Sequence, residues 1–287
     1  MTAALAPDAA DKEVDLEGLT RFGTRFALIG SHSRRGDEGK PAPSRRRLLA
    51  FELTGTAPAV GIASPKRYTT LVEDAQAFLA TQPAPLNAVV LDTPLGAKFG
   101  GLSIEALAET AAGELLIGLR SPLGPADKAL ILVLDKALIL VLRNAAAVFD
   151  SGATASFGPP ILLDLQKQGL RDMVSDGNGG YLLLSGQPGE GGTFALWSWA
   201  GPGGAAPRKR TRVANDPGTS AEAIVLPPDK KAAWILFDEG ERRTASGKRC
   251  KSDSVPPSGK SFRARRVALA GSWERRAEGA GSGTTAA

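Results

Sequence analysis

The sequence predicts an all-β fold, a β-propeller built from repeated antiparallel blades of three or four strands. One observation is compositional, since 34 glycines and 20 prolines among 287 residues favour many turns over long helices. A second is an internal repeat: an apolar strand, a turn rich in Gly, Asp or Pro, and a dense apolar run follow one another four times. A third is that further strand-like runs follow each repeat, as propeller blades require.

The four repeats start near positions 16, 104, 171 and 221, and each first strand carries an acidic residue. These acids are Glu17, Glu105, Asp172 and Glu222. In three repeats the acid lies 13 residues before the end of the second apolar run (30−17, 118−105, 185−172), and in the fourth the distance is 16 (238−222). The second runs are short and apolar on both faces, which is typical of strands buried on both sides of a sheet.

Outer strands complete the predicted blades. Third strands are predicted at 47–53, 129–134, 193–199 and 262–269, and weaker fourth strands at 59–62, 161–165 and 210–213. The interval from 16 to 104 exceeds one blade of roughly 40–50 residues. It leaves room for a degenerate fifth blade around 87–91, so four units are clear and five or more remain open. Helical spacing of apolar residues at 71–79 predicts one short inserted helix between residues 68 and 80.

One segment is duplicated in tandem. The octapeptide at 127–134 recurs without change at 135–142. An insertion of even length preserves the alternation of strand faces, so the β pattern continues through both copies. One copy is therefore surplus to the blade, and we expect it to lengthen a hairpin or bulge out.

Composition sets the expected boundaries and compartment. We expect a flexible N-terminus at 1–12, the propeller domain at 13–270 and a disordered tail at 271–287. A single cysteine, Cys250, excludes an intrachain disulfide framework. The first residues do not resemble a secretory signal, and charges interrupt the longest apolar stretch, 129–142. These features predict a cytoplasmic protein without a membrane segment.

The four equivalent acids are the main candidate site. If the first strands line a central channel, these carboxylates converge there and require compensating cations. Arg120 and Arg171 lie in equivalent regions and can supply that charge, or a bound metal can, with calcium as the candidate ion. The alternative is that each acid accepts hydrogen bonds from backbone amides of the next blade.

Other motifs exclude several chemistries. His32 is the only histidine, which excludes the tri-histidine and paired-histidine metal sites. Neighbours in a strand point to opposite faces, so Ser31 and Ser33 are poorly placed to use His32 as a base, and a structural or ligand-binding histidine is expected. The basic clusters lie apart in loops with few aromatic residues, which favours solvated surface over nucleic-acid binding.

Several strings resemble an uncharacterised bacterial family known as domain of unknown function 3616. They are Leu16-Glu17-Gly18-Leu19, Ile29-Gly30-Ser31-His32-Ser33-Arg34 with Arg46 and Leu48, Ile104-Glu105-Ala106-Leu107, Leu116-Ile117-Gly118-Leu119-Arg120-Ser121-Pro122, and Gly169-Leu170-Arg171-Asp172. Two departures are Ala106, where the family pattern has Gly, and the duplicated octapeptide. The resemblance implies a propeller-like β fold and no particular activity.

Two functions follow as hypotheses. The first is a propeller-like binding or interaction scaffold with a carboxylate-lined central channel, whose ligand is an unidentified protein or small molecule. The second is a cation-dependent hydrolase, of phosphoesterase or lactonase type, that uses the channel carboxylates with a divalent ion.

Overall fold

The chain folds into four antiparallel sheets arranged as the four blades of a β-propeller, which confirms the predicted fold class. The computed structural model of the chain describes residues 6–8, 11, 13–56, 59–123, 136–189 and 192–269. The predicted tail, 271–287, lies outside them. From the predicted N-terminal segment, Asp8 and Asp11 are described, and both form hydrogen bonds with Ser44.

The first two blades contain four strands each, in sequential order. Blade 1 consists of β1 (Leu16–Phe22), β2 (Arg25–Gly30), β3 (Leu48–Thr56) and β4 (Ala59–Tyr68). Blade 2 consists of β5 (Ser103–Glu109), β6 (Leu115–Ser121), β7 (Ala137–Leu142) and β8 (Phe157–Leu163).

The third blade also has four strands, whereas the fourth has three among the described residues. Blade 3 consists of β9 (Gly169–Ser175), β10 (Tyr181–Gly186), β11 (Phe194–Trp199) and β12 (Arg208–Val213). Blade 4 consists of β13 (Ser220–Val225), β14 (Ala232–Asp238) and β15 (Ala264–Ala268). The innermost strands contact one another in sequence, β1 with β5, β5 with β9 and β9 with β13, and all four line one cavity at the end of the predicted channel.

Two helices lie beside the first two blades. Helix α1 (Leu71–Ala80) confirms the helix predicted between 68 and 80. Helix α2 (Ala145–Ser151) was not predicted; it is short and buries Val148 and Phe149 in the same core as α1. The interval that left room for a degenerate fifth blade around 87–91 contains a 3-10 turn at Leu86–Ala88 and no strand there. Among the described helices none has the length and apolarity to cross a bilayer.

The duplicated octapeptide contributes its second copy to the sheet. Strand β7 comes from residues 135–142, pairs with β6 on one side and β8 on the other, and is buried along its whole length. Hydrophobic patterning predicts this strand at 129–134, in the first copy, which lies outside the described residues. The two copies are identical, so sequence alone could not separate them.

Buried apolar clusters join successive blades, because alternate side chains of each strand face opposite neighbours. One cluster joins blades 1 and 2 with both helices, a second joins blades 2 and 3, and a third joins blades 3 and 4. Within the described residues no such cluster joins blade 4 to blade 1. At that seam, large apolar side chains remain exposed, with Leu19 at 57% and Trp234 at 40%.

Candidate functional site

Each innermost strand has a β-bulge near one end of the channel, and the bulged residue is charged. The pairing of β1 with β2 skips Glu17. By the same shift of register, the skipped residue is Glu105 in β5, Arg171 in β9 and Glu222 in β13. A bulge breaks the regular alternation of faces and re-aims its side chain. All four of these side chains line a single cavity.

The register of blade 3 corrects the sequence alignment by one residue. Asp172 had been assigned to the position of the glutamates, but it pairs with Leu184 inside the regular ladder, and Arg171 is the bulged residue. Arg171 is therefore the structural equivalent of Glu17, Glu105 and Glu222. The four bulged positions therefore carry three carboxyl groups and one guanidinium group, instead of the four carboxyl groups that the sequence predicted.

Asp172 binds backbone amides instead of facing the cavity. Its Oδ1 accepts a hydrogen bond from Met173 N at 2.7 Å, and its Oδ2 accepts one from Ile224 N, in blade 4, at 2.6 Å. Burial raises the pKa of Asp172 to about 7, against the opposing effect of these two amides. For this residue the structure therefore favours the interpretation that the acid links its blade to the next.

Two arginines hold Glu105 at the centre of the site. Arg120 Nη1 lies 2.8 Å from Glu105 Oε1, and Arg171 Nη1 lies 3.2 Å from Glu105 Oε2. The same Arg171 nitrogen lies 2.7 Å from Glu222 Oε2. Ser103 Oγ donates a further hydrogen bond of 3.0 Å to Glu105. The network ties blades 2, 3 and 4 together, and its members Glu105, Arg120 and Arg171 are at most 9% exposed.

The backbone of Arg120 is packed closely against blade 3. A Cβ atom at Gly169, the first residue of β9, would lie 2.0 Å from the Arg120 carbonyl oxygen, so glycine is required there. The Arg120 side chain also donates to carbonyl oxygens of Gln187, at 3.2 Å, and Gly189. These contacts fix the guanidinium against Glu105.

Glu17 differs from the other bulged residues because no hydrogen bond or ion pair joins it to any residue in the described part of the chain. Burial raises its pKa to about 10, and the carboxylates of Glu105, Asp15 and Glu222 act in the same direction, while Arg171 opposes them. These causes favour the protonated form of Glu17 over the carboxylate. Burial also raises the pKa of Glu222, to about 7, which Arg171 opposes.

His32 lies in the interior, outside the cavity lining. Its Nδ1 is 2.8 Å from Gly30 O, and since that carbonyl can only accept, Nδ1 carries the proton. Its Nε2 is buried without a partner among the described residues. Burial lowers the pKa of His32 to about 4, so the ring is neutral. Neither flanking serine bonds to the ring.

Beside the cavity lies a polar cluster that the sequence pattern does not predict. Ser31 Oγ donates to Asp15 Oδ2 at 2.5 Å and lies 2.8 Å from Ser33 Oγ. Arg45 Nη1 lies 2.6 Å from Ser33 Oγ and 3.0 Å from Asp15 Oδ2, and the same guanidinium pairs with Glu13. The Ser31-His32-Ser33 string was the one sequence signal for this cluster, but the residues that bind its serines, Asp15 and Arg45, come from other segments of the chain.

The cavity at this end of the channel has a volume of about 640 Å³. Its acidic lining residues are Glu13, Asp15, Glu17, Asp37, Glu105, Glu222 and Asp238. Its basic lining residues are Arg34, Arg35, Arg45, Lys98, Arg120 and Arg171. Phe99, which is 55% exposed, lies at the rim. The volume lies within the usual range for small-molecule sites, while the lining is far more polar than most.

The channel residues do not fit calcium in this arrangement. Calcium takes six to eight oxygen ligands, whereas Glu105 and Glu222 are already paired with arginine and Asp172 faces backbone amides. In the described ranges, no group of three or more His, Cys, Asp or Glu side chains is arranged to hold a metal ion.

Comparison with protein-family models and with curated proteins finds no match. Among solved structures, the chain is similar to a 6-phosphogluconolactonase-like protein of Bacteroides uniformis, at 10% identity over 88% of this chain and 55% of that one, with a TM-score of 0.32. It is also similar to a gluconolactonase of Xanthomonas campestris, at 12% identity over 80% of this chain and 72% of that one, with a TM-score of 0.31. The chain spans about half the length of the first of these proteins. At such scores neither similarity carries an argument about function.

Proposed function

We propose that this propeller is a binding domain whose channel-end cavity takes a small polar ligand. The observation that carries the proposal is the cavity of about 640 Å³, which opens onto charged side chains from all four innermost strands. Only the fold brings these strands together. A site assembled from several rigid strands holds its polar groups in fixed positions, which lowers the cost of ordering them on binding.

The cross-blade network supports this proposal. Glu105, Arg120 and Arg171 are fixed by mutual ion pairs and by carbonyl oxygens, so their geometry is set before a ligand arrives. Glu17 is the exception, since its carboxyl group lines the cavity and has no partner among the described residues. A ligand can therefore gain an interaction there that the protein does not itself satisfy.

The test is a thermal-shift and calorimetric screen of the purified chain against small probes of different charge: glucose, gluconate, inorganic phosphate, arginine and calcium chloride. We expect at least one organic probe to raise the melting temperature and to lose that effect in Glu17→Gln. Glu52→Gln serves as the matched control, because Glu52 is exposed on β3 of the same blade and does not line the cavity. If no probe binds, the proposal fails.

The second hypothesis, a cation-dependent hydrolase, is tested in the same experiment. It requires calcium to raise the melting temperature, a chelator to lower it, and Glu105→Gln to abolish both effects. It also requires cation-dependent hydrolysis of an aryl phosphate or a lactone. We expect neither calcium nor the chelator to change stability, because arginine already compensates Glu105 and Glu222.

A further inference from the structure

The arginines that line the cavity are already engaged. Arg120 and Arg171 pair with Glu105 and Glu222. Among the other lining arginines, Arg45 pairs with Asp15 and Glu13, Arg34 with Asp92 at 3.1 Å, and Arg35 with Asp11 at 3.6 Å. An anionic ligand would have to compete with a carboxylate of the protein for each of these guanidinium groups.

The carboxylates at the channel end, in contrast, exceed the cations. Three glutamates, Glu17, Glu105 and Glu222, face two guanidinium groups, and of these three Glu17 is the one without a partner among the described residues. The lining as a whole contains seven acidic and six basic side chains. Once Glu17 is ionised, a single positive charge placed beside it would balance the site.

We propose that the ligand of this cavity carries an organic cationic group, an ammonium or a guanidinium, that binds against Glu17. This inference rests on the proposed function and specifies its ligand class. Such a group needs one carboxylate and a few acceptor oxygens, which Glu17, Asp15 and Glu222 provide, whereas calcium needs a larger oxygen cage. Phe99 lines the same cavity, and an aromatic ring there can also attract an organic cation.

Binding of the cation displaces the proton from Glu17. The groups that face Glu17 are Asp15, Glu105 and Glu222, which favour its protonated form, and Arg171, which opposes them. A bound cation stabilises the ionised carboxylate, so the proton leaves to solvent as the ligand enters. Affinity therefore rises with pH below the pKa of free Glu17, by up to about tenfold per pH unit when one proton is released.

The experiment uses titration calorimetry of the full chain with methylguanidinium chloride at non-denaturing concentration, between pH 6 and 9. Methylurea is its neutral isostere and sodium acetate is the anionic probe. Repeating the titration in buffers with different ionisation enthalpies gives the number of protons released on binding. We expect binding of methylguanidinium alone, tighter at higher pH, with close to one proton released at pH 7.

Two variants distinguish the contribution of the Glu17 carboxyl group to binding from a general effect of removing an acidic residue. Glu17→Gln mimics the protonated side chain and should fold; we expect it to bind at least tenfold more weakly and without proton release. Glu52→Gln should bind like the natural chain. If methylurea or acetate binds as well as methylguanidinium, or if Glu17→Gln binds unchanged, the cation proposal is wrong while the binding function stands. If none of these probes and none of the screened ligands binds, both fail.

Discussion

Arg171 occupies in blade 3 the position that glutamates occupy in the other three blades, and this difference determines the charge of the channel. Its guanidinium group lies within ion-pairing distance of Glu105 and Glu222. It also packs 5.5 Å above the ring of Phe194. The residue is 4% exposed, so it is held as much by packing as by charge.

Replacing Glu105 with Gln should lower the free energy of unfolding by roughly 3–5 kcal/mol, because two buried guanidinium groups lose a charged partner. Urea unfolding at pH 7 measures the change. The comparison variant is Glu222→Gln, whose side chain is 32% exposed and contacts one arginine, so its loss should be clearly smaller. Equal losses for the two would contradict the central role of Glu105.

Asp172 should make stability fall as pH rises. Its pKa is raised from 3.8 to about 7 in the folded protein. A raised pKa means that its contribution is complete below about pH 4 and is lost as pH rises through 7. In Asp172→Asn the decline in stability between pH 4 and 7 should be absent. The difference in unfolding free energy between the natural chain and the variant should therefore change by roughly a few kcal/mol across that pH range.

Urea unfolding at several pH values measures this difference. Asp150→Asn is the control of opposite sign, because the hydrogen bond from Arg25 lowers the pKa of exposed Asp150 and its contribution grows with pH. A stability difference between the natural chain and Asp172→Asn that does not change with pH would show that burial does not disfavour the Asp172 carboxylate.

At the scale of elements, strand positions could be predicted from sequence far better than strand register. The dense apolar runs of β2, β6, β10 and β14 lie where hydrophobic patterning predicts them. Burial on both faces explains that composition for β6 and β10, whereas β2 and β14 are partly exposed. The bulges could not be predicted. Arg171 and Asp172 are adjacent and both charged, and a one-residue change in register exchanges which of them faces the channel.

The contacts around the site were predicted less completely. The convergence of Glu17, Glu105 and Glu222 follows from their equivalent places in the repeat. Arg120 and Arg171 were expected in equivalent regions, but Arg120 lies on the second strand β6 and Arg171 on the innermost strand β9. The cluster of Asp15, Ser33 and Arg45 depends on long-range packing between segments with no common pattern. Helix α2 was missed because its seven residues are too few for a periodic signal.

Deleting residues 135–142 should leave the melting temperature unchanged or raise it. The two octapeptides are identical, so this deletion and that of 127–134 give the same chain, in which the remaining copy forms β7. The connection from β6 to β7, residues 122–136, shortens by eight residues. Halving a loop lowers the entropic cost of closing it by roughly 0.6 kcal/mol, which favours the folded state. Differential scanning calorimetry measures the result.

A length-matched variant serves as the control for that deletion. Replacing 127–134 with Gly and Ser keeps the length of the connection and removes the spare apolar sequence, so its melting temperature should stay close to that of the natural chain. Loss of folding in the deletion variant would show that both copies are required by the sheet.

At the scale of the whole molecule, the blades differ in how much core supports them. Blades 2 and 3 have buried clusters on both faces, whereas the clusters found among the described residues cover one face of blades 1 and 4. Blade 4 also presents Val225 and Trp234 at the seam, 47% and 40% exposed. Local opening free energies follow the number of buried contacts, so blade 4 is expected to open first.

Native-state hydrogen exchange should detect this difference. Amides of β14 should open with a free energy lower than those of β10 by about 1 kcal/mol or more, although both are second strands of their blades. Strand β6 is the internal control, since it lies between two cores and should be protected like β10. Equal protection of β14 and β10 would mean that the ring opens only as a unit.

The unlike bulged residues also break the rotational symmetry of the propeller. Four identical side chains around the axis would offer a ligand four equivalent orientations, whereas Glu17, Glu105, Arg171 and Glu222 make every quarter turn chemically different. A molecule with one charged end and an asymmetric body then has one best orientation in the cavity. The protein should accordingly hold an asymmetric ligand in one of the four rotational orientations, a selectivity that a uniform ring of carboxylates could not provide.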